Sequence, residues 1–268
     1  MMKFRRHARG LTAGSELADT LPSSPRTRVS SRLNPYLAAA AQEVLATGPD
    51  WAEYSWSIDK LRLNDDLDLV ARFPGRLLEV GSSPYFTTLA LTMSGRDVTG
   101  VDIDPSQAPA RVEVLRCDIE RDALPFGECS FDVILFSEVF EHLRLDPLFT
   151  LSELRRVLRP DGVLLLTTPN LRSLRGILRL TLRGKAWAVG ADPYEAYMRL
   201  KTHGFMGHVR EYTAWEMRAM LEPCGFTIDG VVWRRKPGNW LLRGFELLVP
   251  PSRPYMTLIA RRTERSAV

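Results

Sequence analysis

The sequence predicts an α/β fold: seven strands in one sheet, mostly parallel with an antiparallel hairpin at one edge, and helices on both faces. Three observations carry this. Five short β-rich runs alternate with helical segments, the connections between them are long enough to cross over, and two later β-rich runs lack a full-length helix between them. Strands joined by crossovers form right-handed βαβ units in a parallel sheet, while closely connected runs suit an antiparallel edge pair.

Taken in order, residues 1–33 read as a flexible tail: they hold seven Lys/Arg against two acids in a Pro/Ser/Arg-rich setting. "NPYLAAAAQEVLAT" (34–47) and "SIDKLRLNDDLDLVARF" (57–73) follow as two helices by apolar spacing and Ala/Leu content. Strands are expected over 76–80, 97–103, 112–116, 131–136 and 162–168, then 226–235 and 255–262 for the edge. "TAWEMRAMLEPCGF" reads as the helix before the edge pair.

Two excursions interrupt this frame, over 170–212 and 236–254. The first sets Leu171, Leu174, Leu178 and Leu182 near one helical face and Arg172, Arg175, Arg179 and Arg183 on another. It is expected to pack on the sheet edge with its arginines solvated, or else to cover substrate or touch a membrane surface. Residues 34–268 otherwise read as a single domain.

Composition excludes several classes. At 268 residues and 45% hydrophobic the chain can bury one sizeable core. It has no apolar run long enough for a membrane span and no secretory h-region. Cys117, Cys129 and Cys224 are scattered without CxxC spacing, which argues for a reducing, cytoplasmic setting. The net charge of +4 resides in the tail, since residues 34–268 hold 29 basic against 30 acidic residues. A nucleic-acid partner is therefore not expected.

Ligands of open parallel sheets bind beyond the carboxyl ends of the strands. After the first strand, Gly81 supplies a tight turn, Ser82 or Ser83 can cap a helix, and Pro84 suits its first turn. After the second strand comes Asp102, at the spacing where an acid meets ribose hydroxyls. After the third comes Asp118, able to accept from an exocyclic amine. Together they outline a nucleoside slot.

The run from about residue 76 to 235, with "LRPDGVLLLTTPN" and "HVREYT…CGF", resembles a class I S-adenosylmethionine-dependent methyltransferase. That resemblance implies a Rossmann-like sheet and S-adenosylmethionine as cofactor. It also implies Glu79 and Gly81 near the methionine part, Asp102 on the ribose, and Asp118 with Ile119 beside the adenine. Ser82, Ile103 and Ser137 complete the cofactor-binding candidates. The first motif departs from the family: Glu79-x-Gly81-x-Ser83-x-Tyr85 lacks two of its three glycines.

After the fourth strand stand Glu138, Glu141 and His142. If a helix begins just after Phe136, the three share one face. Two such carboxylates repel unless partnered, and a divalent cation removes the conflict. His208 offers a fourth ligand, which makes a mixed oxygen/nitrogen site for Mg²⁺ or Mn²⁺. Glu141 and His142 are then the catalytic candidates, with His142 as a metal-free general base in the competing reading.

Glu-x-x-Glu-His followed by a distant His resembles the small-RNA 2′-O-methyltransferases and the ubiquinone-pathway catechol O-methyltransferases. In both, the resemblance implies a metal that holds two neighbouring hydroxyls. No Asn/Asp-Pro-Pro-Tyr follows the fourth strand, which disfavours nitrogen acceptors. Trp187, Tyr194, Tyr197 and Trp240 in the excursions suit pyranose faces, so a sugar or glycoside hydroxyl is the expected acceptor. The composition and motif set also resemble enzymes that methylate mannosides of methylmannose polysaccharides. A catechol or quinone-precursor hydroxyl is the alternative acceptor, and a degenerate cofactor-binding module is a lesser alternative to the enzyme. A homodimer is a further expectation, and His203 is a lid candidate.

Overall fold

The computed structural model describes residues 33–185, 193–203, 207–235 and 240–263. The expected basic tail thus lies outside the described residues apart from Leu33, as do Trp187 and the side chains of His203 and Trp240.

Helices α1 (Pro35–Thr47) and α2 (Ala52–Val70) precede β1 (Leu77–Val80), α3 (Phe86–Met93), β2 (Val98–Asp102) and β3 (Val114–Arg116). Then come β4 (Phe131–Ser137), α4 (Pro147–Val157), β5 (Leu158–Pro169), α5 (Leu174–Arg183) and α6 (Pro193–His203). The chain closes with α7 (Ala214–Leu221), β6 (Phe226–Arg234), α8 (Trp240–Leu248) and β7 (Tyr255–Arg262). One seven-stranded sheet has the order β3-β2-β1-β4-β5-β7-β6. Its first five strands pair in parallel, and β7 runs antiparallel to both neighbours.

Strand alternation explains the two-sided burial. Leu78, Val80, Ile134 and Phe136 join one core cluster with Leu154 of α4 and Met217 of α7. Leu77, Val133 and Leu135 join the other with Val44 of α1, Leu67 of α2 and Leu89 of α3. Because successive side chains point to opposite faces, an unbroken apolar run is what a strand covered on both sides needs.

The helix starts are chemically specified. Asn34 accepts from the Tyr36 and Leu37 amides with Pro35 at the first position, and Asp146 does the same for Phe149 with Pro147. Thr213 and Glu216 form a reciprocal capping box at α7. Helix α2 starts earlier than its sequence pattern indicates, at Ala52.

Three expectations need correction. Neither Ser82 nor Ser83 caps α3; its N-cap is Tyr85, with φ +74° and no side-chain cap. The edge strands are not joined by a bare loop, since α8 lies between them. The third concerns α5, which does not pack through its leucines. Gly176 is buried and Arg175 is nearly so, paired at 2.8 Å with the fully buried Glu246 of α8. Ile177, Leu178 and Leu182 face outward instead, Leu182 with 79% of its surface exposed. The ion pair draws Arg175 inward toward its buried partner, while Arg172 and Arg183 stay exposed.

Candidate functional site

Beyond the carboxyl ends of β1 and β2 the chain makes a close turn. Gly81 has φ +75°, and a β-carbon there would collide with Val139. The missing third glycine of the motif leaves a trace, because Tyr85 still adopts the left-handed conformation a glycine favours. Asp102 braces this turn, accepting from the Ser83 amide at 2.9 Å and the Asp104 amide at 3.2 Å. Ser82 is buried and donates to the Glu79 carbonyl at 3.2 Å. Asp118 accepts from the Glu120 amide at 3.2 Å, Ile119 packs against the core, and Ile103 is exposed.

Glu79 is buried and accepts a short hydrogen bond from Thr88. Burial pushes its carboxyl up to about 8, with Asp66 and Asp102 adding and the Thr88 bond and Arg62 opposing. Below the ordinary carboxylate range both folded and unfolded chains hold the proton. Between about 4.5 and about 8 only the folded chain does, so its stability falls as pH rises through that window. Urea unfolding of Glu79→Gln from about pH 5 to about pH 8 should show a shallower fall than the parent. Equal slopes would assign the dependence elsewhere.

No helix follows Phe136, so the expected one-face arrangement does not form. Strand β4 runs on through Ser137, Glu138 takes φ +58°, and Phe140–His142 is a single 3-10 turn. The Glu138 amide extends the ladder by donating to the Thr167 carbonyl at 2.8 Å. What assembles instead is Glu141, His142 and His208, each offering a ligand atom within 4.8 Å of the others. The Glu138 carboxylate lies outside that group.

His208 is delivered by backbone lacing. The Val209 and Arg210 amides donate to the Glu141 carbonyl at 2.7 and 3.3 Å, and the Leu171 amide donates to the Tyr212 carbonyl at 3.0 Å. The imidazoles of His142 and His208 meet edge to face with centroids 4.7 Å apart. Glu141 is fully buried; Oε2 accepts from Thr168 at 3.0 Å, and Oε1 lies 3.8 Å from His208 Nε2. Glu141 Oε1, His208 Nδ1 and Glu138 Oε1 are buried without hydrogen-bond partners.

Burial pushes Glu141 up to about 7 and raises Glu138 well above the carboxylate range, with Glu141 adding to the latter. Burial also lowers both imidazoles, His208 to about 4 with help from His142. The Gly207 carbonyl accepts from the His142 ring, which fixes one nitrogen as a donor and leaves the other as an acceptor. Both rings are therefore neutral near pH 7.

Sequence reading missed the charges beneath the site. Arg62 of α2 donates to Ser137 Oγ at 2.8 Å and pairs with Asp66 at 3.1 Å, while Ser137 donates to Asp66 at 2.9 Å. Arg234 of β6 reaches Asp66 at 2.9 Å, a close ion pair without hydrogen-bond alignment, and donates to Thr257 at 2.6 Å. Ser137 thus faces α2 as well as the turn after β1. A cavity of only about 40 Å³ lies among Arg62, Asp66, Glu79, Gly81 and Ser137. The larger cleft, about 350 Å³, opens elsewhere, against Asn34, Tyr36 and Arg96. Glu211, also missed, is buried and pushed up to about 7 by burial. The signal available was Arg62 four residues before Asp66 on one helix, a spacing that more often marks a solvated pair.

The sheet order, with its ligand-facing turn at Gly81 and the acids that follow β1 and β2, is that of the methyltransferase folds the chain resembles. The model of the methyltransferase domain family matches residues 78–166. A Mycolicibacterium smegmatis protein named a probable S-adenosylmethionine-dependent methyltransferase is 32% identical over 167 residues, covering 60% of this chain and 56% of that protein. The chain therefore spans little more than half of that relative. A ubiquinone biosynthesis O-methyltransferase of Cereibacter sphaeroides is 27% identical over 214 residues, 74% of this chain and 79% of that protein.

Among solved structures, a methyltransferase from Archaeoglobus fulgidus aligns with TM-score 0.56 at 15% identity, covering 80% of this chain and all of that one. The Burkholderia thailandensis 1,6-didemethyltoxoflavin-N1-methyltransferase, solved with S-adenosylhomocysteine, aligns with TM-score 0.52 at 18% identity, covering 91% and 94%. These structural likenesses establish the fold. Among the described residues no helix is long and apolar enough to cross a membrane.

Proposed function

We propose that the chain is an S-adenosylmethionine-dependent O-methyltransferase whose acceptor brings two neighbouring hydroxyls to Glu141, His142 and His208. The observation that carries this is the close group of ligand atoms at the end of β4, with Glu141 Oε1 and His208 Nδ1 buried and unpartnered. Buried acceptors without partners are costly, and a cation meets that need. Two neutral imidazoles and one carboxylate are a softer set than the four ligands expected from sequence, so Mn²⁺ suits them better than Mg²⁺. A bound ion of this kind supplies Lewis acidity that lowers the pKa of a coordinated hydroxyl.

The chain's own residues supply position and proton control. Thr168 holds the Glu141 carboxylate, and the Gly207 carbonyl orients His142. In this reading Asp102, which braces the Gly81 turn by accepting from the Ser83 amide, takes the ribose hydroxyls. S-adenosylmethionine supplies a methyl group on a sulfonium. One observation favours a metal-free alternative: His142 is neutral and keeps one nitrogen free to take the acceptor's proton.

For the acceptor, the expected sugar reading keeps Tyr194 and Tyr197 among its described aromatics, and both are exposed. A catechol-type hydroxyl is favoured by the relative that covers most of its own length, named a ubiquinone biosynthesis O-methyltransferase. Both acceptors carry the neighbouring hydroxyls the cluster would hold.

Two measurements test the reading. Mn²⁺ titration by EPR, with S-adenosylhomocysteine bound, should show one site that is absent in His208→Ala. No site at all would leave His142 as the base and open the acceptor to a lone hydroxyl. Calorimetry should show S-adenosylhomocysteine bound roughly 10- to 100-fold more weakly by Asp102→Asn, the worth of a charged hydrogen bond. Parental affinity in that variant would remove Asp102 from the ribose site.

A further inference from the structure

We infer that α5 and α8 together form a surface that binds the face of an anionic phospholipid bilayer. The argument begins with orientation. An amphipathic helix on a folded domain normally buries its apolar stripe. Here Ile177, Leu178 and Leu182 of α5 face outward, and Phe245, Leu247 and Leu248 of α8 are also exposed, Leu248 by 84%.

Arg175 of α5 is turned in by its pair with Glu246, two side chains almost without exposure. Such a pair costs desolvation and is held only by its surroundings. Large apolar side chains are thus exposed on two adjoining helices. Patches of this kind on soluble domains mark interaction surfaces.

Charge selects the occupant. Residues 170–185 carry four arginines and one lysine with no acid, and Arg172, Arg183, Lys185 and Arg243 are exposed around the apolar side chains. A second copy docked on the same patch would set cation against cation. An apolar protein partner would leave the basic rim unmatched. A bilayer with anionic headgroups matches both features: acyl chains take the leucines and phosphates take the arginines. The surface also adjoins the site, because α5 follows directly on β5, whose Thr168 holds Glu141.

The test is flotation of the full chain with vesicles, without cofactor or acceptor, so its outcome is independent of methyl transfer. The chain should float with phosphatidylglycerol/phosphatidylcholine vesicles, less so at high salt, and not with phosphatidylcholine alone. Leu178→Glu with Leu182→Glu, and separately Leu248→Glu, should weaken flotation by about tenfold per substitution, the worth of burying one leucine. Unchanged melting would confirm that these exposed positions leave the fold intact. Three outcomes overturn the inference. They are no association with anionic vesicles, equal association of parent and variants, and a dimer in sedimentation that the same substitutions dissociate.

Discussion

Glu141→Gln is expected to lower methyl transfer by roughly 10²- to 10⁴-fold, the range for a group that acts directly on the transferred proton or its activator. The amide keeps the shape of the side chain and can still accept from Thr168, so the fold should survive. What is lost is the negative charge at Oε1, the atom that faces His208 and has no hydrogen-bond partner. The pH profile gives a second signature. Burial pushes this carboxyl up to about 7, so turnover should rise as pH climbs through about 7 and the carboxylate forms. That limb should be missing from whatever activity Gln retains. The readouts are methyl transfer from labelled S-adenosylmethionine to catechol and glycoside acceptors and, separately, Mn²⁺ affinity. A variant with parental values in both would remove Glu141 from the chemistry.

The second large effect is on stability. Arg234→Met should cost about 3–5 kcal/mol, because it leaves Asp66 in the interior with its charge only partly matched. Arg234 is 4% exposed and Asp66 is 1% exposed. After the change Asp66 keeps Arg62 and Ser137 but loses the partner that ties β6 to α2. Adding Asp66→Leu should not recover the loss, since it strips Arg62 of its closer carboxylate partner and Ser137 of its acceptor. Denaturant midpoints of the two variants and the parent decide the matter. A single variant within about 1 kcal/mol of the parent would show that the pair contributes little.

Much of the frame was legible. Runs such as Val133 to Phe136 announce buried parallel strands because a sheet covered on both faces needs side chains that are apolar in both registers. Gly81 and Asp102 announce a ligand-binding end because a turn with positive φ and an acid after a strand are local demands, set by a few adjacent residues. Glu141, His142 and His208 could be nominated as a cluster because their chemistry is unusual at the end of a strand. The helix invoked to align them was wrong. Continued pairing of β4 with β5 through Ser137 kept the backbone extended, and the left-handed Glu138 left its carboxylate outside the group.

The strands along the chain and the two-sided core were thus determined by the sequence itself, through periodicity, and Glu141 and His142 could be nominated from their short spacing. Only tertiary structure decided that Arg62 and Arg234, separated by 172 positions, converge on Asp66. It alone brought His208 to Glu141 and turned the leucines of α5 outward. The physical reason is the same in each case. Local pattern says which side chains share a face, but what lies beneath that face, a core or a buried Glu246, is settled by distant chain.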